Sequence, residues 1–367
     1  MPSFQQHPHD HKVTAFLEAA GPSGQYAARN VLTRLYALRH QEYLFPITVN
    51  EEEYENSYVV SPYTAYGPYA LEELDSIKGM VPVAPLKGLT SMVAKVLKWA
   101  KINQIVLINN WLLSTNLYPD WKGSGAADLT HELTNTHPQH LIAFRSLNRF
   151  SNASLMDQLV LLGYKMVPAR QVYIYNNQDL SWTRRSNTKR DRALLKQTQF
   201  QWIRNDEFLN IEFDDVEVLY NQLYLEKYSY LNPQFTSSFL RTCHEQGLME
   251  FEGLKDIEGR LVAIVGTFEY AGVLTAPIVG YDTRLPQELG LYRMLMAMIF
   301  ERALRNKTPL NLSAGAASFK RLRGALPYIE YTAVYDRHLP WSRRLVVSSL
   351  SGLLNTIGVP VMERFEL

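Results

Sequence analysis

The chain has 367 residues, of which 37 are basic and 36 acidic, so its formal charge is +1. This length is typical of about two domains, and the near-zero charge gives no overall field that would attract nucleic acid or anionic lipid. Cys243 is the only cysteine, which excludes a disulfide framework and a cysteine-rich metal site.

The first half of the chain alternates between helix-type and strand-type hydrophobic patterns. A buried strand is indicated by QIVLIN at 104–109, and an amphipathic helix by the apolar face of 86–100. In chain order we predict a helix at 27–40, strands at 42–49 and 57–61, a helix at 86–100, strands at 104–109 and 140–146, a helix at 153–162 and a strand at 165–175.

Polar and turn-forming residues cluster between the two halves, in the segment NNQDLSWTRRS at 176–186. Such clusters between patterned segments are typical of linkers. We therefore predict an N-terminal domain over residues 1–180 and a C-terminal domain over residues 181–367.

The second half has a clearer order of elements. We predict helices at 188–198, 214–228 and 236–246, strands at 248–255, 261–270 and 273–281, a helix at 287–305, a strand at 309–312, a helix at 316–322 and a strand at 329–335. The helix at 287–305 is apolar nearly all round and should be buried. This order predicts an α+β fold in which one long helix crosses a mostly antiparallel mixed sheet.

Two segments of the second half carry candidate chemistry. Small residues at 313–318 leave a strand and open a helix, where backbone N–H groups favour an anionic oxygen, and Lys320 follows as a fixed positive charge. The sequence QELGLY at 287–292 opens the buried helix, with Gly290 able to admit a pyrophosphate group. A small-residue turn and a plain packing glycine are the structural alternatives.

The order of these elements resembles the GNAT N-acyltransferase superfamily. Its coenzyme A loop reads Gln or Arg, two residues, Gly, one residue, then Gly or Ala; Gln287 and Gly290 match, whereas Tyr292 stands at the small-residue position. The segment SFKRLRG at 318–324 is similar to the Phe-Lys element of the FemABX-like branch, which includes BioF2-like acetyltransferase domains. That branch carries two GNAT-like halves in one chain, so the resemblance implies two GNAT-like domains, of which the first is degenerate.

The resemblance also implies roles for particular residues. Lys320 would stabilise the developing oxyanion or a donor phosphate, and Phe319 would shape the pocket. Glu269 and Asp282 are candidate bases, and Tyr292 and Tyr335 candidate acids; an exposed carboxylate, a turn former or a packed ring is the alternative for each. The expected donor-binding residues are Gln287, Leu289, Gly290, Leu291, Ser313 and Gly315, and the expected substrate-binding residues are Arg321, Arg323 and His338.

The function implied is transfer of an acyl group from acyl-CoA to the amine of a small-molecule or peptide-like acceptor. The retained Gln287 and Gly290 favour this donor. Aminoacyl-tRNA is the alternative donor, since a basic cluster at 184–192 can contact phosphates. A non-catalytic GNAT-like binding module is the second alternative.

Other classes of site receive no support from the sequence. We expect no metal, because the scattered histidines lack a nearby acid cluster. The N-terminal twelve residues have no apolar core for a secretory signal. The uncharged run at 345–362 is interrupted by polar residues, so we expect a packed helix rather than a membrane span, and a cytoplasmic protein.

Overall fold

The structure is a computed structural model that describes residues 9–76, 83–208 and 212–365. Residues 1–8, which belong to the segment tested for a secretory signal, lie outside this range. The helices are α1 Asp10–Ala20, α2 Pro62–Thr64, α3 Ala70–Ser76, α4 Val83–Trp99, α5 Ala126–Thr136, α6 Ala153–Leu162, α7 Ser186–Gln197, α8 Phe213–Asn221, α9 Ser237–Glu245, α10 Leu291–Asn306, α11 Ala317–Leu322, α12 Trp341–Leu353 and α13 Val359–Phe365.

Three π-helical segments extend these helices. They join α2 to α3 at Ala65–Tyr69, follow α8 at Gln222–Glu226, and join α12 to α13 at Leu354–Gly358. Single π-turns inside helices are uncommon and occur often at functional sites.

The strands of the described residues form one eleven-stranded sheet. The strands are β1 Arg34–His40, β2 Tyr43–Asn50, β3 Ile105–Ile108, β4 Leu141–Asn148, β5 Lys165–Tyr175, β6 Gln201–Ile203, β7 Glu250–Lys255, β8 Leu261–Tyr270, β9 Val273–Tyr281, β10 Leu310–Asn311 and β11 Leu326–Tyr335. Their order across the sheet is β1-β2-β3-β4-β11-β5-β10-β9-β8-β7-β6. The predicted α+β class with a mostly antiparallel mixed sheet is confirmed, since only β3–β4 and β9–β10 pair in parallel.

The sheet order relates the two halves of the chain. In each half, antiparallel pairings lead to one parallel pairing: two lead to β3–β4 in the first half, and three lead to β9–β10 in the second. The long antiparallel strands β5 and β11 then lie side by side in the middle. Strand β11 comes from the second half but inserts between β4 and β5 of the first. The division at residue 180 remains a prediction.

Local sequence explains the elements that flank the candidate site. Strands β8 and β9 are joined by Ala271 and Gly272, both with positive φ (48° and 76°), which matches a tight hairpin turn. Helix α10 is the central helix of the second half, and its apolar side chains are buried from Leu291 to Ala303.

Some predicted elements differ in the structure. The predicted helix at 27–40 is wrong, because residues 34–40 form β1, paired antiparallel with β2. The predicted strand at 57–61 forms turns before α2. Strands β5, β8 and β9 have the predicted bounds.

The C-terminal helix is longer and more exposed than predicted. Trp341–Phe365 forms a helix of 25 residues that is long and apolar enough to cross a membrane, and 17% of its most apolar window is buried. It packs on β5 and α4 through α12, and Trp341 and Leu345 are exposed. A single helix of this kind does not establish a membrane span.

Candidate active site

A pocket lies where β9 ends and α10 begins. It is lined by Gln287, Gly290 and Leu291 from the connecting turn, by Tyr292 and Arg293 from the first turn of α10, and by Phe319 from α11. We call it the donor pocket. The structure therefore brings together five residues, Gln287, Gly290, Leu291, Tyr292 and Phe319, from two segments that the sequence singled out and that are about 30 positions apart.

Gly290 gives the turn its shape. Its φ is +69°, in the left-handed region that favours glycine. An added Cβ would also lie 2.8 Å from Cδ2 of Leu194 on α7, closer than packed atoms approach. The turn therefore brings its backbone close against α7 as it enters α10.

The start of α10 provides the electrostatics of an anion site. The first N–H groups of a helix have no intrahelical acceptor and carry partial positive charge, and α10 has 16 residues. Arg293 and Lys227 add cationic side chains to the lining. This combination fits a pyrophosphate group.

Tyrosine hydroxyls surround the same pocket. Tyr281, Tyr228 and Tyr292 line it, and the Nζ atom of Lys227 donates to the hydroxyl of Tyr281 at 3.3 Å. Burial raises the pKa of Tyr292 well above its ordinary value. Tyr292 therefore stays protonated near neutral pH and can donate a proton or a hydrogen bond.

Phe319 is held in the pocket by contacts on both faces. Its ring centroid lies 4.9 Å from that of Tyr292, and the guanidinium of Arg323 lies 3.3 Å from its centroid. Arg323 also donates from Nη1 to the carbonyl of Phe319 at 2.9 Å and from Nε to Asp191. Arg323 was expected to bind substrate, but it is 6% exposed and instead positions Phe319.

Asp191 on α7 is an anchor that the sequence did not single out. It is fully buried and accepts from Arg323 and, at 2.7 Å, from Nε of Arg293. One carboxylate therefore ties α7 to the first turn of α10 and to the end of α11. A lone aspartate within the basic segment TKRDRALLK was the available signal.

Lys320 points away from the donor pocket. It is 4% exposed, and its Nζ atom donates to the carbonyl oxygens of Leu312 at 2.7 Å, Ser313 at 3.3 Å and Ala314 at 2.8 Å. Burial, assisted by the charge of Arg170, lowers its pKa to about 7. In this arrangement Lys320 fixes the loop before α11, whereas the sequence placed it at the reacting atoms.

Replacing Lys320 with methionine is expected to lower the free energy of unfolding by about 1–3 kcal/mol, because buried carbonyl groups lose their donor. Chemical denaturation measures this change. Arg321→Gln is the control, since Arg321 is exposed on the same helix and surface changes cost about 0.5 kcal/mol or less. If Lys320→Met has wild-type stability but no transfer activity, Lys320 acts at the reaction centre and the structural role is wrong.

The small-residue loop has a strained backbone. Ser313, Gly315 and Ala316 all have positive φ, between 48° and 77°. The carbonyl of Ser313 accepts from the N–H of Tyr173 on β5, whereas Gly315 is exposed. Neither lines the donor pocket, and Arg321 is exposed on α11.

Three predicted residues lie elsewhere in the fold. Glu269 lies on β8 beside the β8–β9 turn and accepts from Asn306. This turn and the donor pocket are at opposite ends of the nine-residue β9, which places Glu269 about 25–30 Å from the pocket. Tyr335 and His338 stack with centroids 5.9 Å apart beside Tyr164 in the first half, because β11 pairs with β4 there. The structure therefore does not bring these three residues to the donor pocket.

Asp282 and Leu289 lie next to the pocket in structural roles. Asp282 accepts from Nε of Arg284 at 2.8 Å and from Nη2 at 2.9 Å. These hydrogen bonds hold the pKa of Asp282 below its ordinary value, so it is a weak proton acceptor. Leu289 packs on the apolar cluster around α10.

The basic cluster at 184–192 is largely exposed. Arg184, Arg185, Lys189 and Arg190 are exposed, and Arg192 pairs with Glu301 of α10. The exposed side chains leave positive charge on the outer face of the helix that supports the donor pocket. Within the part of the chain that the structure describes, no three His, Cys, Asp or Glu side chains group as metal ligands.

Comparisons with known proteins identify the second half. Residues 183–321 match the family model of the acetyltransferase (GNAT) domain, a segment that includes α7, the donor pocket and most of α11. No curated protein sequence matches the chain.

Comparison with solved structures gives similarities at low sequence identity. L-PGS from Bacillus licheniformis is 14% identical with a TM-score of 0.53, covering 95% of this chain and 99% of its own. FemX is 9% identical with a TM-score of 0.47, covering 61% of this chain and 78% of its own. A tandem GNAT protein from the clavulanic acid biosynthesis pathway is 13% identical with a TM-score of 0.38, covering 64% and 76%. Residues 183–321 are thus similar to the acetyltransferase (GNAT) domain family, and the chain shares its fold with L-PGS over 95% of its length.

Proposed function

We propose that the protein is an N-acyltransferase that moves an acyl group from acyl-CoA to the amine of a small-molecule or peptide-like acceptor. The observation that carries the proposal is the donor pocket, where Gln287, Gly290 and Leu291 surround the start of α10. Helix N-termini of this kind bind phosphate groups, and Arg293 and Lys227 supply the balancing charge.

The chemistry requires a neutral amine. Its nitrogen attacks the thioester carbonyl, a C–N bond forms, the C–S bond breaks, and the proton lost by nitrogen passes to water. Tyr292 is the candidate acid for the leaving thiolate, because it lines the donor pocket at the first turn of α10. Phe319, packed on Tyr292, excludes water from one wall.

Aminoacyl-tRNA is the second candidate donor. The exposed Arg184, Arg185, Lys189 and Arg190 favour it, since clustered cations bind phosphate backbones with a steep dependence on salt. Both donors are cytoplasmic molecules, so a cytoplasmic location is part of the proposal, as is the division into two GNAT-like domains.

Acetyl-CoA is expected to stabilise the protein by about 2.7 kcal/mol at a hundredfold excess over its dissociation constant. Gln287→Ala should weaken acetyl-CoA binding by about tenfold, because one hydrogen bond to a charged group is lost. Glu288→Ala is the matched control, since Glu288 is exposed in the same turn and does not line the pocket. Thermal unfolding and calorimetric titration give both values.

The same titrations separate the alternatives. If aminoacyl-tRNA binds and acetyl-CoA does not, and if Lys189→Glu with Arg190→Glu abolishes the binding, the acyl-CoA proposal is overturned in favour of tRNA. Binding of neither donor would leave a non-catalytic GNAT-like module. If Gln287→Ala and Glu288→Ala change acetyl-CoA affinity equally, the turn is not part of the donor site.

A further inference from the structure

A second cavity, outside the donor pocket, is lined by residues of both halves of the chain, because β11 lies between β4 and β5. Its inner end is lined by polar side chains, among them Tyr66, Glu73, Arg170 and Glu330. Its outer end opens between α4 and the C-terminal helices and is lined by apolar side chains such as Leu89, Val93, Leu354 and Ile357. The two cavities share Tyr66, Glu73 and Arg170 in their linings, so they lie side by side, and we call the pair the acceptor chamber.

Two β-bulges build the polar end. Opposite Thr332 of β11, strand β4 carries the two residues Arg145 and Ser146, since Tyr331 pairs with Leu147 and Ala333 with Phe144. On the other side of β11, Ala169 of β5 is the extra residue, since Glu330 pairs with Arg170 and Tyr331 with Pro168. Bulges redirect side chains and are frequent beside active sites.

The polar end contains acceptor atoms that the protein does not use. Glu330 is 2% exposed; its Oε1 atom accepts from Nε of Arg170 at 2.9 Å, whereas Oε2 has no hydrogen-bond partner among the described residues. The Oγ atom of Ser146, which is also 2% exposed, likewise has none within the described part of the chain. Buried polar atoms without partners are rare, because each costs free energy.

The buried polar atoms that lack a partner among the described residues indicate which group a ligand should carry. Arg170 already donates from Nε to Glu330 and from Nη2 to Ser114 and Thr115. Arg145 donates from Nη1 and Nη2 to Asn110 and to backbone carbonyls. The carboxylate oxygen of Glu330 and the hydroxyl groups of Ser146 and Tyr66 therefore remain among the described residues. The carboxylate oxygen can only accept, so it matches an N–H donor such as an amine.

The apolar lining of the outer end fits an apolar tail on the ligand. Ile357, which lines this end, is 42% exposed, and 17% of the most apolar window of the C-terminal helix is buried. An apolar chain entering here would cover surface that now contacts water.

Aromatic side chains lie between the acceptor chamber and the donor pocket. Tyr58 and Tyr69 line the chamber with ring centroids 4.8 Å apart. Tyr224 lies 6.3 Å from Tyr228 of the donor pocket, centroid to centroid. Tyr224 and Tyr58 pack against the same apolar cluster.

We propose that the acceptor chamber binds a long-chain primary amine, with the amino group on Glu330 and Ser146 and the apolar chain between α4 and the C-terminal helices. This inference rests on the proposed transferase function, for which it names the acceptor class.

Calorimetric titration of the full chain with alkylamines tests the chamber without any turnover. Affinity is expected to rise about two- to fourfold per methylene from hexylamine to decylamine. Glu330→Gln should weaken decylamine binding by about tenfold or more, because a charge-assisted hydrogen bond is lost. Ser146→Ala removes a hydroxyl without a partner, so it should weaken binding and leave the protein folded.

Ile357→Glu places a charge at the apolar end, at a side chain that is 42% exposed, and should reduce decylamine affinity. Gln287→Ala in the donor pocket is the control and should leave it unchanged. Decylamine binding that none of the three chamber variants alters would overturn the proposal. If acetyl-CoA binds and decylamine does not, the proposed acceptor class is wrong and the transferase function stands. If decylamine binds but neither acetyl-CoA nor aminoacyl-tRNA does, the proposed transferase function is wrong.

Discussion

Replacing Asp191 with asparagine is expected to lower the free energy of unfolding by about 3–5 kcal/mol, the usual cost of breaking a buried ion pair. The Asp191 carboxylate is fully buried and is shared by Arg293 and Arg323, and Arg323 is itself buried. The amide would leave the charge of Arg323 without a counter-ion. Urea denaturation measures the effect.

The same change should weaken donor binding. Asp191 holds Arg293, which lines the donor pocket, and through Arg323 it holds Phe319. We expect the dissociation constant for acetyl-CoA to rise about tenfold, as a misplaced contact to a charged group costs about 1.4 kcal/mol or more.

Arg192→Gln on the same helix is the comparison. Arg192 pairs with Glu301, and both side chains are about one-third exposed (32% and 28%). Exposed pairs of this kind contribute about 0–1 kcal/mol. If Asp191→Asn costs no more than Arg192→Gln, the anchoring role assigned to Asp191 is wrong.

The second half could be predicted well because its signals are local. The apolar runs of β8 and β9 and the tight turn at Ala271 and Gly272 define a hairpin without help from the rest of the chain. The donor turn is also local, since Gly290 must adopt a positive φ where the strand passes into α10.

The errors arise where distant pairing decides the structure. Residues 34–40 have apolar spacing that suits a helix, but they pair with β2, which is itself paired with β3. No local pattern shows that β11 inserts between β4 and β5, and this insertion takes Tyr335 and His338 away from the donor pocket.

The acceptor chamber was out of reach of the sequence for the same reason. Arg170 and Glu330 form an ion pair although they are 160 positions apart. Ser146 enters the chamber only because its φ is +65° at a bulge. None of these three residues belongs to a recognisable sequence motif. Only the folded sheet therefore shows that they line the same cavity.

Glu73→Gln is expected to make the protein more stable than the wild type above neutral pH. Desolvation in the acceptor chamber raises the pKa of Glu73 from 4.5 to about 7, against the opposing charge of Arg170, while the neighbouring Glu72 adds to the rise. Tyr58 and Tyr69 face the same carboxyl group. The folded state therefore binds this proton more tightly than the unfolded state does.

The direction of the pH dependence of stability follows from that difference in proton binding. The stabilising effect of the bound proton is complete below pH 4.5 and is lost as the pH rises through about 7. Glutamine does not titrate, so the stability advantage of the variant should grow by about 2–3 kcal/mol between about pH 5 and about pH 8. Urea denaturation at both pH values measures it.

Glu72→Gln is the matched control, because its side chain is exposed one position earlier on α3. It should follow the wild type at both pH values. A stability difference for Glu73→Gln that stays constant with pH would show that Glu73 is as solvated in the folded state as in the unfolded chain. The acceptor chamber would then be filled with water around this carboxyl group, and its inner end would not be the desolvated site that an amine with an apolar tail requires.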